Sequence, residues 1–346
     1  MRIAVIGAGL AGSSLAFALK RFGSEVIVFE ASGDVASAAS GNQVGLYNPR
    51  FTAERTPQSD YYVAAYSLAV RMFSAFTDID WNPCGALHLI TDEKREKRYA
   101  QTLENWRWEP EHMRLLNAQQ ASDVAGVELG YGALYLPDSG SVSPAKLCRS
   151  YLKGIEVRLN HEVEDLESLQ REFDYVVLAC AYGVKAFAPD LPLSQVRGQV
   201  SIVQQSHVSE KLKCALCYGG YMSPANDEGQ HLVGSTFQRW LSHSDIIEQD
   251  DLDNLEKLGH FVPAIGRDLE VVGHRASVRT TVQDHFPIVG RLDHVVKNIY
   301  ISTGHGSHGI ISSLMAAELL SDMIYKRPLS LGRQSVKALS PYRFSQ

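Results

Sequence analysis

RIAVIGAGLAGSSLAFALKRFGSEVIVFE, residues 2–30, is the stretch whose reading decides the fold. Residues 2–6 are a short apolar run rich in β-branched side chains, the pattern of a strand buried on both faces. Gly7, Gly9 and Gly12 follow in G-x-G-x-x-G spacing, with Ala8, Leu10 and Ala11 between them. Ser13 to Arg21 reads as a helix, apolar at Leu15, Ala16, Ala18 and Leu19, with Gly23 as its stop. Glu25 to Phe29 reads as a second strand, closed by Glu30 and Ala31. Each part has a task. Gly7 permits the turn out of the strand, Gly9 lets the backbone approach a pyrophosphate, and Gly12 lets helix and strand pack closely. The helix start offers free N–H groups and a positive dipole end to phosphates. Glu30, eighteen residues after Gly12, can accept hydrogen bonds from ribose hydroxyls. The unit predicts a dinucleotide site; the alternative is a tight strand–helix turn in some other α/β protein. The acid favours an unphosphorylated ribose, hence FAD or NAD over NADP, and the motif by itself does not separate those two.

At 346 residues, about two domains are expected. Apolar residues at 45% and charged residues at 21% exclude a disordered chain, a collagen-like fibre and a small disulfide scaffold. A net charge of −6 excludes polyanion binding by bulk charge, so any nucleic-acid contact must be local. The five cysteines read as reduced thiols of an intracellular protein. Arg2 followed by apolar Ile3 to Leu19 looks superficially like a signal peptide, but three glycines interrupt it and a strand pattern follows. The stretch is also too short and broken to span a membrane. The cytoplasm is the expected location.

The segment ASAASGNQVGLYNPRF, residues 36–51, is small, polar and glycine-rich, and a helical stretch from Ser59 to Phe76 follows. Near the end comes NIYISTGHGSHGIISSLMAAELLSDMI, residues 298–324: a strand at Ile299 to Ser302, a glycine-rich turn, then a long apolar-faced helix. This pair of strand–turn–helix units resembles the D-amino-acid-oxidase-like superfamily of FAD-dependent amine oxidoreductases. The resemblance implies non-covalent FAD, since all five cysteines lie at or before Cys217 and none stands where some relatives tether the flavin. It places the ADP half on Gly7 to Gly12, Glu30 and Ala31, with Ser40, Gly41 and Asn42 also at the cofactor. It puts the turn Gly304, His305, Gly306, Ser307, His308, Gly309 and Ile310 beside the isoalloxazine ring. SPAKL at 143–147 resembles the opening of the middle helix, VEDLE at 163–167 the strand that touches adenine, and YVVLAC at 175–180 a later cofactor-domain strand. By that likeness Val163 contacts adenine through its backbone, and Ala179 and Cys180 line the cofactor.

One match within the superfamily is closer. ASGN with GLYNP, RGQVS at 197–201, GGYMSP at 219–224, HLVGSTFQR at 231–239 and VRTTVQDHFPIVG at 278–290 occur in one order. They resemble the oxidoreductase half of the bifunctional MnmC family, which makes 5-methylaminomethyl-2-thiouridine in tRNA. There the FAD half oxidatively removes the carboxymethyl group from 5-carboxymethylaminomethyl-uridine at the wobble position and releases glyoxylate. Three departures stand out. The methyltransferase half is absent from this sequence, so the oxidative step alone is expected, with a separate methyltransferase as partner. The residues after ASGN differ, and His308 stands where the family often has arginine.

Arg279 is the expected carboxylate holder, because superfamily members that oxidise amino acids use an arginine in the matching strand. A guanidinium fork matches a carboxylate in two parallel hydrogen bonds. The alternative is a structural arginine, as for Arg275. Tyr221 is a candidate pocket wall or second donor; otherwise it is a strand aromatic. His285 and His305 are candidate bases, although hydride removal from a neutral amine needs no strong base, and His305 better fits the flavin edge. The backbone N–H groups of Ser307 to Ile310, at a helix start, suit negative charge on the reduced ring. Cys214-Ala-Leu-Cys217 lies in a strand pattern that puts its sulfurs on opposite faces, so no metal site is expected. Asp245 to Leu258 and Lys94 to Arg98 read as solvated helical faces. Residues 326–346 carry Lys326, Arg327, Arg333, Lys337 and Arg343 and no acid, giving +5 against −11 elsewhere. That tail either wraps its own acidic body or meets phosphates, with Arg50, Arg197 and Arg239 as further phosphate candidates.

The expected architecture is α/β. A Rossmann-like FAD-binding domain (1–80, 140–198 and 276–346) is interleaved with a substrate domain on a largely antiparallel sheet (81–139 and 199–275). The latter includes LHLI (87–90), ALYL (133–136), VSIV (200–203) and HLVG (231–234). Two rival functions remain: oxidation of free small amino acids such as glycine or sarcosine, and a non-catalytic flavin-binding partner protein. The macromolecular partner is the tRNA anticodon loop in the first reading; the rival oxidase takes a small amine only.

Overall fold

Two hydrophobic patterns build two kinds of sheet. Runs apolar throughout, such as residues 2–6 and 25–29, are covered on both faces; strands with one polar face border a cavity. The computed structural model describes residues 1–266, 269–292 and 298–344. The first third of the chain runs β1 (Arg2–Ile6), α1 (Leu10–Lys20), β2 (Glu25–Phe29), β3 (Gly45–Tyr47), α2 (Pro57–Phe73), β4 (Ala86–Leu89) and α3 (Glu93–Trp106). Next come β5 (Arg114–Leu116), α4 (Ala118–Ala125), β6 (Ala133–Leu136), β7 (Gly140–Val142), α5 (Pro144–Tyr151), β8 (Glu156–Arg158), α6 (Leu166–Glu172) and β9 (Tyr175–Leu178). The remainder runs β10 (Leu193–Gln204), β11 (Ala215–Cys217), β12 (Tyr221–Met222), β13 (Gln230–Gly234), α7 (Glu248–Phe261), β14 (Val271–Val282), β15 (Ile288–Arg291), β16 (Ile299–Thr303), α8 (Gly309–Tyr325) and α9 (Arg333–Leu339).

The first sheet has the order β15-β16-β9-β1-β2-β8 and is parallel except for β15 against β16. On one face Leu15 and Leu19 of α1, Leu147 and Tyr151 of α5, and Leu314 and Leu320 of α8 share a core with Tyr61 and Phe73 of α2. On the other, Ala4, Ile6, Ile27 and Leu178 pack with Leu169 and Phe173. A Cβ on Gly12 would stand 1.8 Å from the Gly7 carbonyl oxygen, so only glycine lets α1 sit this close to the turn. The second sheet has the order β14-β10-β13-β12-β11-β4-β6-β5 and is antiparallel except for β4 beside β11. Its outer face is covered by Ala121 and Ala125 of α4 and Leu258 of α7. A short β3–β7 ribbon completes the strands.

Several expectations change. VEDLE is no strand: residues 161–165 are irregular, the strand here is β8, which pairs with β2, and Leu166 already begins α6. The boundaries expected at 198/199 and 275/276 fall inside β10 and β14, two strands that pair with each other along nearly their whole length in the second sheet. Helix α7 is solvated on one face, at Glu248, Asp253 and Glu256, but its other face buries Asp250, Asp251 and Asn254. Asp250 meets the fully buried Arg197, which therefore cannot contact phosphates. The basic tail binds its own body at Arg327–Asp322 (2.6 Å) and Arg343–Asp284 (2.8 Å). Its last two residues, 345 and 346, lie outside the described residues. Among the described residues no helix is long and apolar enough to cross a membrane, and no cluster of metal ligands occurs.

Candidate active site

Both units that open the sequence argument end in one cavity of about 830 Å³ between the sheets. It begins at the start of α1, lined by Gly9, Leu10 and Ala11, and passes Ser40 and Asn42. It then follows Gly304 to Ile310 to the start of α8. Neither Gly9 nor His308, the residues that cap these helices, gives a side-chain hydrogen bond to its helix. Both N-termini thus face the cavity with no cap from their own N-cap side chain and with positive dipole ends. Leu10 N–H donates to Ser40 Oγ at 3.0 Å, and a Cβ on Gly9 would meet that same oxygen at 3.0 Å. Among the described residues no aspartate or glutamate lines the cavity, whereas Arg50, Arg98 and Arg279 do. A glycine-walled passage with two open helix starts and no acid fits an anionic dinucleotide with an electron-rich ring at its far end.

The rest of the expected cofactor set lies behind this lining. Glu30 ends β2, where its Oε2 accepts from Ala8 N–H (2.7 Å) and its Oε1 from Ser32 N–H (2.9 Å). Gly7, Ala8, Gly12 and Ala31 form the turn and its surroundings without reaching the cavity wall. Gly41 is held by Arg275, which donates to Asn42 Oδ1 at 2.9 Å and to the carbonyls of Ser37 and Ala38. Arg275 is thus structural, as expected. Ala179 and Ala181 line the cavity while Cys180 does not, and Val163 packs partly buried against the core near Phe29.

The second sheet supplies the opposite wall. Arg279 on β14 lies over Gly198 of the neighbouring β10, where a Cβ would come within 2.1 Å of its Nη1. Its Nη2 donates to Ser235 Oγ at 3.1 Å and its guanidinium stacks 4.8 Å from the Phe237 ring. Nη1 is buried without any partner, an unspent donor in a site where such donors are expensive. Burial lowers the Arg279 pKa and raises that of Tyr221 to about 12, so Tyr221 enters the site as a neutral phenol. Strand register sets His88, Cys217, Tyr221 and Gly234 side by side across β4, β11, β12 and β13.

His305 is wedged between Ser302 Oγ (3.0 Å from Nε2) and Ser312 Oγ (2.9 Å from Nδ1). Burial drops its pKa to about 4, as it does for His308, whose ring packs 5.1 Å from Tyr62. Both are neutral near pH 7. His285 sits in the turn after β14 at φ 56° and does not line the cavity. Cys214 and Cys217 separate as strand alternation requires, the first in the core and the second in the cavity. Sequence reasoning missed Asn48 and His88 as lining residues; Arg98 is exposed, as the solvated helical face predicts, and also borders the cavity. Asn48 Oδ1 and His88 Nε2 are buried without partners, and His88 is held near pKa 4 by burial and by Arg98. The available signal was Tyr99, Thr102 and Trp106 on one face of an otherwise charged helix, which turns that face of α3 inward and leaves Lys94, Lys97 and Arg98 exposed.

A family model described as FAD dependent oxidoreductase matches residues 2–323, and the chain belongs to that family. It is an enzyme with FAD as its cofactor. In sequence it is similar to the tRNA 5-methylaminomethyl-2-thiouridine biosynthesis bifunctional protein MnmC of Hahella chejuensis, at 33% identity over 99% of this chain and 59% of that protein. The MnmC of Idiomarina loihiensis is 31% identical over 99% of this chain and 58% of its own length. The chain therefore spans about three-fifths of these relatives and matches their FAD oxidoreductase half. In fold it is similar to glycine oxidase from Geobacillus kaustophilus (TM-score 0.84, 20% identity, 99% of both chains). It is also similar to iminodiacetate oxidase from Chelativorans sp. BNC1 (TM-score 0.80, 20% identity, 98% of this chain and 99% of that one).

Proposed function

We propose that this enzyme removes the carboxymethyl group from 5-carboxymethylaminomethyl-(2-thio)uridine at the tRNA wobble position, releasing glyoxylate. The observation that carries the reading is the length of the polar row on the cavity wall. Arg279, which lines the cavity beside Ser235 and Phe237, marks a carboxylate subsite at that end. The row then runs past Tyr221 and Cys217 to His88, about 14 Å for three interstrand spacings. Asn48 and His88 line the cavity beyond Cys217, where glycine or sarcosine held at Arg279 would not extend. A uracil ring on a carboxymethylaminomethyl arm would lie along this part of the wall. The length of the match to the MnmC proteins supports the same reading.

In this scheme Arg279 grips the carboxylate in two hydrogen bonds, and Ser235 and Phe237 hold the guanidinium in place. A wall with arginines and no acid disfavours an ammonium ion, so the secondary amine is kept neutral, with the lone pair that oxidation of its neighbouring carbon requires. Neutral His305, fixed by two serines, presents a shaped edge without adding charge. FAD held along Gly9 to Ala11 and Gly304 to Ile310 would supply the oxidant for the methylene carbon. The start of α8 would offer its N–H groups to negative charge at that end of the cavity. Water then adds to the carbon–nitrogen double bond, leaving the shortened amine and glyoxylate. Glu30 and Gly9 are assigned to the ribose and pyrophosphate of FAD, and Val163 to its adenine.

Oxidation of free glycine or sarcosine would use the same arginine. Anaerobic mixing of the enzyme with wobble-modified tRNA, glycine or sarcosine tests the assignment by bleaching of the flavin. tRNA is expected to bleach it fastest, and the modified nucleoside should accumulate in cells lacking the protein. Efficient bleaching by glycine or sarcosine with none by tRNA would replace this reading.

A further inference from the structure

Residues 235–247 join β13 to α7, and Ser235 and Phe237 at their start line the cavity. Buried Arg197 staples this loop at two points. Its backbone exchanges hydrogen bonds with Gln238 (3.0 and 2.9 Å), its guanidinium reaches Gln238 Oε1, and Nη2 donates to the Asp245 carbonyl at 2.5 Å. The stretch between the staples is held up into solvent. Trp240 is 76% exposed there, beside exposed Arg239, and Phe237 is 54% exposed where it lines the cavity. The loop's one acid, Asp245, faces His243 at 3.1 Å.

The register Tyr221↔Gly234 sets Gly219 and Gly220 beside the start of this loop. Two cations converge on Gly219: Lys257 donates to its carbonyl, and Arg95 Nη2 would stand 3.0 Å from a Cβ placed there. Arg98, and Arg50 stacked 5.3 Å from Tyr62, line the same cavity. An anionic chain molecule would therefore find cations on the rim of a protein whose net charge is −6.

We propose that the 238–245 loop is a stacking platform for an unpaired nucleobase, with Trp240 as its surface and Arg239, Lys257 and Arg95 as phosphate contacts. It docks the single-stranded loop of an RNA whose modified base enters the cavity. An exposed aromatic ring beside cations, next to a pocket deep enough for one flipped base, is the arrangement that binds single strands. The proposal rests on the tRNA reading above.

The test uses the FAD-loaded enzyme and a fluorescein-labelled anticodon stem-loop, followed by anisotropy at several salt concentrations. Trp240→Ala should weaken binding about tenfold and Trp240→Phe much less, because a phenyl ring still stacks. Lys257→Ala should lower the slope of log affinity against log salt by about 0.7. FAD content and melting temperature report whether each variant has folded. Trp240→Ala binding the RNA as tightly as wild type overturns the platform while leaving the tRNA reading intact. Unchanged RNA affinity with a halved sedimentation mass makes the patch a self-association surface and also overturns it. A wild-type enzyme that neither binds nor oxidises the stem-loop removes the tRNA reading and the platform with it.

Discussion

At the residue scale the site turns on Arg279, the one arginine of β14 whose fork is left half unpaired. A charged hydrogen bond contributes roughly 1.5–3 kcal/mol, and two are lost together in Arg279→Ala. The expected loss is about 3 kcal/mol or more, at least about a hundredfold in kcat/KM for a carboxylate substrate, with FAD content unchanged. Stopped-flow flavin reduction measures it, and wild-type kinetics would remove Arg279 from the site. Gly198 gives a second, indirect handle. A methyl group there would occupy the space of Nη1, so Gly198→Ala should raise KM in the same direction while leaving the arginine in the chain. An unaltered KM would show that the fork can move aside. The histidines set a pH dependence. His88, His305 and His308 are lowered by burial from 6.5 to about 4. Between those values the unfolded chain binds protons that the folded one refuses, so stability rises with pH across the window and is lost on acidification. Melting temperature should fall from pH 7 to pH 5, and by less in His88→Gln; equal falls in both proteins would contradict this.

At the scale of elements, the Arg197–Asp250 pair ties β10 to α7 with both side chains essentially inaccessible to water. Gln199, Ser201 and Asn254 extend the network: Gln199 accepts from Arg197 (2.8 Å) and Ser201 donates to Asp251 (2.6 Å). Removing one partner of such a pair strands a buried charge and costs about 3–5 kcal/mol, whereas replacing both is far milder. Arg197→Met should therefore melt well below wild type, and Arg197→Met with Asp250→Leu should recover part of the loss. A double variant worse than the single would mean that the network, and not the stranded charge, carries the stability.

For the whole molecule, charge and cofactor retention follow from where groups are buried. Cys217 is the cysteine that lines the cavity, and burial lifts its thiol to about 12, which leaves no nucleophilic thiolate near the flavin at neutral pH. Acid precipitation of the purified enzyme should release FAD into a yellow supernatant; colour kept in the pellet would show a covalent bond. The C-terminal tail is part of this body. Leu339 is fully buried beside α2, Ser335 donates to the Pro57 carbonyl at 3.1 Å, and Arg343 clamps the turn at Asp284. Truncation after residue 330 should lower melting temperature and FAD content together. A truncated enzyme of full stability and flavin content that had lost only tRNA turnover would return the tail to a phosphate-binding role.

The glycine triplet, the alternation of strand and helix patterns in residues 2–30, and the second glycine turn at Gly304 to Ile310 were sufficient to place the Rossmann-like unit, since each is a local steric demand met by neighbouring residues. The same holds for the split of Cys214 from Cys217 by strand alternation. Tertiary structure alone decided the rest. It paired Arg197 with an aspartate fifty-three residues away and so took it out of the phosphate candidates. It set the exposed Arg98 beside the cavity, and aligned His88, Cys217 and Tyr221 through a register no local pattern encodes. The physical reason is that a charged or polar side chain reads alike in sequence whether it meets water or a partner. Only tertiary packing, here of α7 on β10 and of strand against strand within the second sheet, determines which of those it meets.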